Sequence, residues 1–150
     1  MNDFDFLIGS WTVVNRRLRS RLTGDDEWEV YPATTTCQRL LDGYGNLDEM
    51  FFPTKGTRGL SLRLFDAERK EWSIYWANGQ RGAIDPPLVG TFTGDRGDFY
   101  SDDVHDGKPI KVHFLWTGTA GDSPRWEQEF SADGGQTWES NWIMEFTRAQ

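Results

Sequence analysis

Apolar and polar residues alternate along most of this chain, and clusters of Gly, Asp, Asn and Pro cut the alternation into short pieces. A period of two puts successive side chains on opposite faces, as in a strand with one dry and one wet face. The first piece runs from about Trp11 to Leu22 and is turned by Thr23-Gly24-Asp25-Asp26. WEVYPATTTCQRLL follows, ended by Asp42-Gly43-Tyr44-Gly45, then NLDEMFF, closed by Pro53-Thr54-Lys55-Gly56. RGLSLRLF splits into Leu60, Leu62 and Leu64 on one face and Ser61, Arg63 and Phe65 on the other. EWSIYWA, LVGTFTG, GDFYSDD, IKVHFLWT, RWEQEFS and TWESNWIMEFTR complete the set. NGQRGAIDPP cannot be a central strand, because Pro86 and Pro87 lack ladder donors. No segment supports a long helix, and only DFDFLIG could form one helical turn. Short sequential connections favour an up-and-down meander, and a long meander removes its exposed edges by closing into a barrel. The expected fold is therefore all-β: one antiparallel up-and-down β-barrel of about ten strands, after a short N-terminal helical turn, as a single domain over residues 1–150.

Composition narrows the partners. The net charge is −8, and Lys and Arg are dispersed except for Arg16, Arg17, Arg19 and Arg21. Such a surface repels polyanions, so no nucleic-acid partner is expected. The start, MNDFDFLIGSW, carries acids where a signal peptide has basic residues, and no apolar run approaches the roughly 20 residues that span a bilayer. A cytoplasmic protein without a membrane partner is the expectation. The lone Cys37 excludes an intramolecular disulfide and reads as a small buried hydrophobe. Aromatic residues make up 15% of the chain, including eight Trp and ten Phe, yet mean hydropathy is −0.67. Large rings in a polar pattern fit one-sided strands.

Gly9-Ser10-Trp11, preceded by Phe4, Phe6 and Leu7, and the chain end MEFTR carry a family resemblance. A G-x-W opening the first strand after a short helical turn resembles the calycin superfamily, which includes lipocalins and fatty-acid-binding proteins. The segments FDFLIGSWTVVNRRL, GYGNLDE, RGLSLRLFD, WSIYWAN, DPPLVGTF and WEQEFSADGGQTWESNWIMEFTR are similar to an uncharacterised bacterial calycin-like family of unknown function. The resemblance implies a lipocalin-like barrel whose base is closed by Trp11 packing under Arg148. A guanidinium over an indole gains about 0.5–2 kcal/mol. Some small barrels of this kind hold haem through a histidine near the C-terminus. This chain has none after His113, so haem held in that manner is not expected, and His113 itself stays open as a ligand.

SADGGQTW, Ser131 to Trp138, fits S-x-D-x-G-x-T-W and resembles the Asp-box of sialidase propellers. It occurs once, and no arginine triad accompanies it, so a sugar-handling propeller is not implied. The motif reads as a turn: Ser131 and Asp133 cap amides, Gly134 and Gly135 take special backbone angles, and Trp138 packs back on the hairpin.

Strand parity yields a candidate interior. Trp11, Val13, Asn15 and Arg17 share one face, as do Trp72, Ile74 and Trp76, and Trp126, Gln128 and Phe130. Leu47, Glu49 and Phe51 form a further set, and Trp138, Ser140, Trp142, Met144, Phe146 and Arg148 another. Together they predict a ring-walled cavity with few polar groups, and the candidate ligand-binding residues are Asn15, Arg17, Glu49, Trp72, Trp76, Gln128 and Trp142. Asn15, Arg17 and Glu49 could instead form a structural salt-bridge cluster. The proline-stiffened loop RGAIDPPLVG, with Asp85, fits either a lid or a rigid crossover.

Reactive-site patterns are sparse. There is no G-x-S-x-G elbow, H-x-x-x-H or C-x-x-C, and Asp102, Asp103 and Asp106 lack the closing Glu of a calcium loop, so no catalytic residue, metal or cofactor is expected. Three functions remain: a binder of a small, partly apolar molecule inside the barrel, an enzyme using that cavity, or a homo-oligomeric interaction module such as a homodimer. In the enzyme, Arg17 would hold an anion while Glu49 or Asp85 moves a proton.

Overall fold

The computed structural model describes residues 1–149. A 3₁₀ turn at Asp5–Leu7 precedes β1 (Gly9–Leu18), β2 (Trp28–Leu40), β3 (Gly45–Phe52), β4 (Thr57–Asp66) and β5 (Glu71–Asn78). A two-residue strand, β6 (Ala83–Ile84), leads to β7 (Leu88–Thr93), β8 (Arg96–His105), β9 (Lys108–Thr117), β10 (Arg125–Ser131) and β11 (Glu139–Arg148). Nearly every strand pairs antiparallel with its successor; β1 pairs with β11, and β4 pairs with β5. Ten strands thus close an up-and-down barrel, with β6 appended to β5. Among the described residues no helix is long and apolar enough to cross a membrane.

The sequence explains two local irregularities. Pro32 sits inside β2 opposite Val14, but β3 reaches only as far as Thr34, so the missing donor is not needed. β6 and β7 lie along the same side of β5 at different heights, separated by Asp85-Pro86-Pro87. The Asp85 amide still donates to the Trp76 carbonyl at 2.9 Å, and the prolines then interrupt the ladder.

One end of the barrel is plugged by the N-terminal segment. Phe4 packs edge-on against Trp72 and Phe92, with ring centres 5.0 and 4.8 Å apart. The Trp11 indole donates to the Leu7 carbonyl at 2.8 Å. The Arg148 guanidinium lies 3.9 Å from the Trp11 ring centre, and it donates to the Ile8 carbonyl and, at 2.8 Å, to the Phe6 carbonyl. Gly9 is required there: its φ is +119°, and a Cβ would come within 2.5 Å of Arg148 Nη1.

Two parity expectations fail. On β3 the inward set is Asn46, Asp48, Met50 and Phe52, all buried, and not Leu47, Glu49 and Phe51. Apolarity misleads here, because Leu47, Leu62 and Tyr75 lie side by side on the outer wall while a charge pair occupies the inside. On β11 a bulge separates the two halves: Gln128 pairs with Trp142 but Glu129 pairs with Ser140, leaving Asn141 as the extra residue. Trp142, Met144 and Phe146 stay inside, whereas Ser140 and Trp138 turn outward.

Candidate functional site

Above the plug the barrel encloses a cavity of about 220 Å³. Its lining runs from buried Ile74 and Trp116 out to exposed Pro86 and Asp103, so it opens at the end away from the N-terminal turn. Three indoles form one wall. Trp142 meets Trp126 edge-on at 5.5 Å and Trp76 at 6.5 Å. Trp76 is admitted by Gly59 on the neighbouring strand, because a Cβ there would overlap the indole.

Arg17, Trp76, Gln128 and Trp142 line this cavity. The Arg17 guanidinium carbon stands 4.1 Å from the Trp142 ring centre, and its Nε is buried without a hydrogen-bond partner. Burial pushes the Tyr31 phenol above its ordinary pKa, and the neighbouring Arg17 charge opposes that push. Gln128 donates to Asn141 Oδ1 at 2.9 Å.

The other three candidates sit elsewhere. Asn15 is 0% exposed and acts behind the wall: its Oδ1 accepts from the Trp142 indole at 2.9 Å, and its amide donates to the Tyr31 carbonyl at 3.2 Å. Trp72 belongs to the plug, where its indole donates to Asp3 at 3.0 Å. Glu49 points outward, 61% exposed, and pairs with Arg58 at 3.4 Å. The cluster of Asn15, Arg17 and Glu49 therefore does not form.

Parity reasoning missed a polar network at the side of the cavity. Arg63 Nη1 donates to Asp48 Oδ1 at 2.7 Å and to Asn46 Oδ1 at 2.9 Å, and the Thr35 hydroxyl donates to Asp48 Oδ2 at 2.7 Å. The Arg63 and Asp48 side chains are only 6% and 4% exposed. The Ser61/Arg63/Phe65 face of β4 was the available signal, but its leucine-rich opposite face competed with it. Asp85 also reaches the cavity rim, tied to Arg81.

No family model matches this chain, and no curated protein does.

Two further groups lie outside the cavity. His113 sits on the outer wall with Nδ1 2.6 Å from Glu129 and Nε2 2.8 Å from Asp98, under the stacked ring of Tyr100. Both ring nitrogens are thus occupied, which leaves neither free for a haem iron. Burial pushes Asp98 up, but hydrogen bonds from Arg96 and His113 and their charges outweigh it and hold its carboxyl below the ordinary value. Burial drives the Cys37 thiol up to about 11, well away from a reactive thiolate. Among the described residues no group of three His, Cys, Asp or Glu side chains could hold a metal.

The Asp-box-like turn is a closed hydrogen-bond system. Asp133 accepts from the Gln136 and Thr137 amides at 3.1 and 2.9 Å, from the Ser131 hydroxyl at 2.8 Å and from the Thr137 hydroxyl. The Thr137 and Ser131 bonds, with the amides, hold the Asp133 carboxyl down to about 2. Ser131 accepts from the Gly135 amide at 2.8 Å, and the Trp138 indole returns to the Gly135 carbonyl at 3.1 Å. Gly134 and Gly135 both have positive φ, 75° and 95°. The Ser131, Asp133 and Thr137 side chains bond within the motif, as a turn requires.

Proposed function

We propose that this protein binds a small, partly apolar molecule inside a lipocalin-like barrel. The supporting observation is the open 220 Å³ cavity, walled by Trp76, Trp126 and Trp142 and lined by Arg17. A cavity that served packing alone would be filled, since interiors close-pack and each void loses contacts. Apolar walls with a few placed polar groups suit recognition of a ligand that is mostly carbon. The calycin resemblance of the two chain ends agrees with this reading. The enzymatic alternative is weaker, because Glu49 stands outside and Asp85 already has Arg81 as a partner.

Native mass spectrometry of protein purified from its host tests the proposal. A co-purifying mass that leaves on denaturation is the expected result. An empty protein that also fails to take up small aromatic compounds at millimolar concentration would overturn it.

A further inference from the structure

The cavity contains one cation without a countercharge. Arg63 is balanced by Asp48, and Asp85 by Arg81. Asp103 is exposed, so its charge is screened by water. Of the two guanidiniums that line the cavity, Arg17 is the one that forms no ion pair among the described residues. It is half-buried, with Nε out of reach of water and of any acceptor. Its terminal nitrogens have no carboxylate partner among the described residues either, and a partly desolvated guanidinium is unfavourable by itself, so an acceptor that reaches them from the cavity would be held strongly.

The surroundings of Arg17 define the rest of the ligand. Its guanidinium plane is held against the Trp142 indole at 4.1 Å, and that indole is fixed by Asn15 behind it. The planar fork is thereby oriented in advance, which favours bidentate contact with a carboxylate. Beyond the fork the walls are aromatic, with Trp126 and Phe114 in edge contact at 4.9 Å. Flat rings stack and fit edgewise on such walls. The volume lies below the roughly 300–1,000 Å³ of pockets for drug-sized molecules, so the body is limited to a ring or two.

From this geometry we infer that the ligand is a small aromatic carboxylic acid, bound as its anion, with the carboxylate on Arg17 and the ring between the indoles. The inference rests on the binding function proposed above. It makes Arg17 the residue that selects charge, while the indoles select shape.

The test is titration calorimetry at neutral pH with benzoate and 2-naphthoate, their neutral amides, and the matching arylmethylammonium cations. The acids should bind about tenfold or more tightly than the amides, the effect of a charge-assisted hydrogen-bond pair. The cations should bind weakest. Arg17→Met should still bind the amides, which certifies its fold, and should lose the preference for the acids. Arg17→Lys retains the charge without the planar fork and should keep part of the preference. Equal binding of acids and amides by the unmodified protein, or preference for the cations, would overturn the anion inference and leave the binding function standing. If Arg17→Met keeps the acid preference, Arg17 is not the anchor and the inference falls. If none of the six compounds binds the unmodified protein, both this inference and the broader binding reading fall.

Discussion

Asp48→Ala removes one partner of an ion pair that water barely reaches, and the structure indicates how much this should cost. The Asp48 and Arg63 side chains are 4% and 6% exposed, so the discount for solvent screening that applies to surface pairs does not apply here. The Thr35 hydroxyl loses its bond to Asp48 but already donates to the Glu49 carbonyl at 3.1 Å, so it keeps an acceptor. The loss therefore falls on Arg63, which retains a single neutral bond to Asn46 while its Nε has no partner even in the intact protein. Breaking a buried pair from one side costs about 3–5 kcal/mol. Total stability for a domain is about 5–15 kcal/mol, so about a fifth of it or more would disappear. In urea, with a slope of about 1–3 kcal/mol per molar, the midpoint should fall by more than about 1 M. Tryptophan fluorescence reports this directly. The double replacement Asp48→Leu with Arg63→Met removes both charges together and should be nearly neutral, or stabilising by about 1–4 kcal/mol. A loss below about 1 kcal/mol in Asp48→Ala would refute the reasoning, because that is the worth of an exposed pair. Water in the cavity would then be solvating Arg63 as bulk water does.

Three further outcomes follow from the same geometry. Asn15→Ala leaves the Trp142 indole N–H and the Tyr31 carbonyl without their partner, and it should lower unfolding free energy by about 2–4 kcal/mol and shift Trp fluorescence, since each unsatisfied group costs about 1–3 kcal/mol; unchanged emission with full stability would contradict it. Gly59→Ala places a methyl where Trp76 lies, so it should cost about 1–3 kcal/mol and weaken uptake of aryl amides in calorimetry, and unchanged affinity would mean that Trp76 is not a wall of the site. Hydrogen bonds from Thr137 and Ser131 hold the Asp133 carboxyl down to about 2, below the ordinary Asp value of about 4, so it stabilises the fold above about pH 4, and that contribution fades as pH falls through 2. The stability gap between the native protein and Asp133→Asn, measured by urea unfolding, should therefore be widest at pH 5 and narrow towards pH 2; a gap constant across that range would count against the assignment.

The strands were legible because turn chemistry punctuates them. Asp-Gly and Pro-containing clusters stand where the barrel turns, and every long strand falls within a few residues of its alternating segment. Facing directions were legible only where apolar residues point inward. On β1 Trp11 and Val13 point inward and Thr12 and Val14 outward, and Arg17 follows by parity into the cavity. On β3 and β4 the rule inverts, because Leu47 and Leu62 cover the outside while Asp48 and Arg63 satisfy one another inside. A pairing between residues fifteen apart leaves no trace in local hydropathy. The bulge at Asn141 was equally silent, since Ser-Asn-Trp reads like any strand.

These failures share a location. The Asp48–Arg63 pair borders the cavity, and Asn141 holds Gln128 at its wall. Local rules hold around the plug, where Phe4, Trp11, Trp72 and Phe99 simply fill space. Chains break local rules where something other than packing sets the residue type, and the added polar burial must be offset elsewhere. A barrel needing only stability could replace the charge pair with apolar residues and fill its centre, at no loss and with a possible gain. This chain instead keeps two guanidiniums, three carboxylates and an open volume among its largest rings. That concentration of departures at the cavity is an argument for function there, independent of any resemblance between this chain and other barrels.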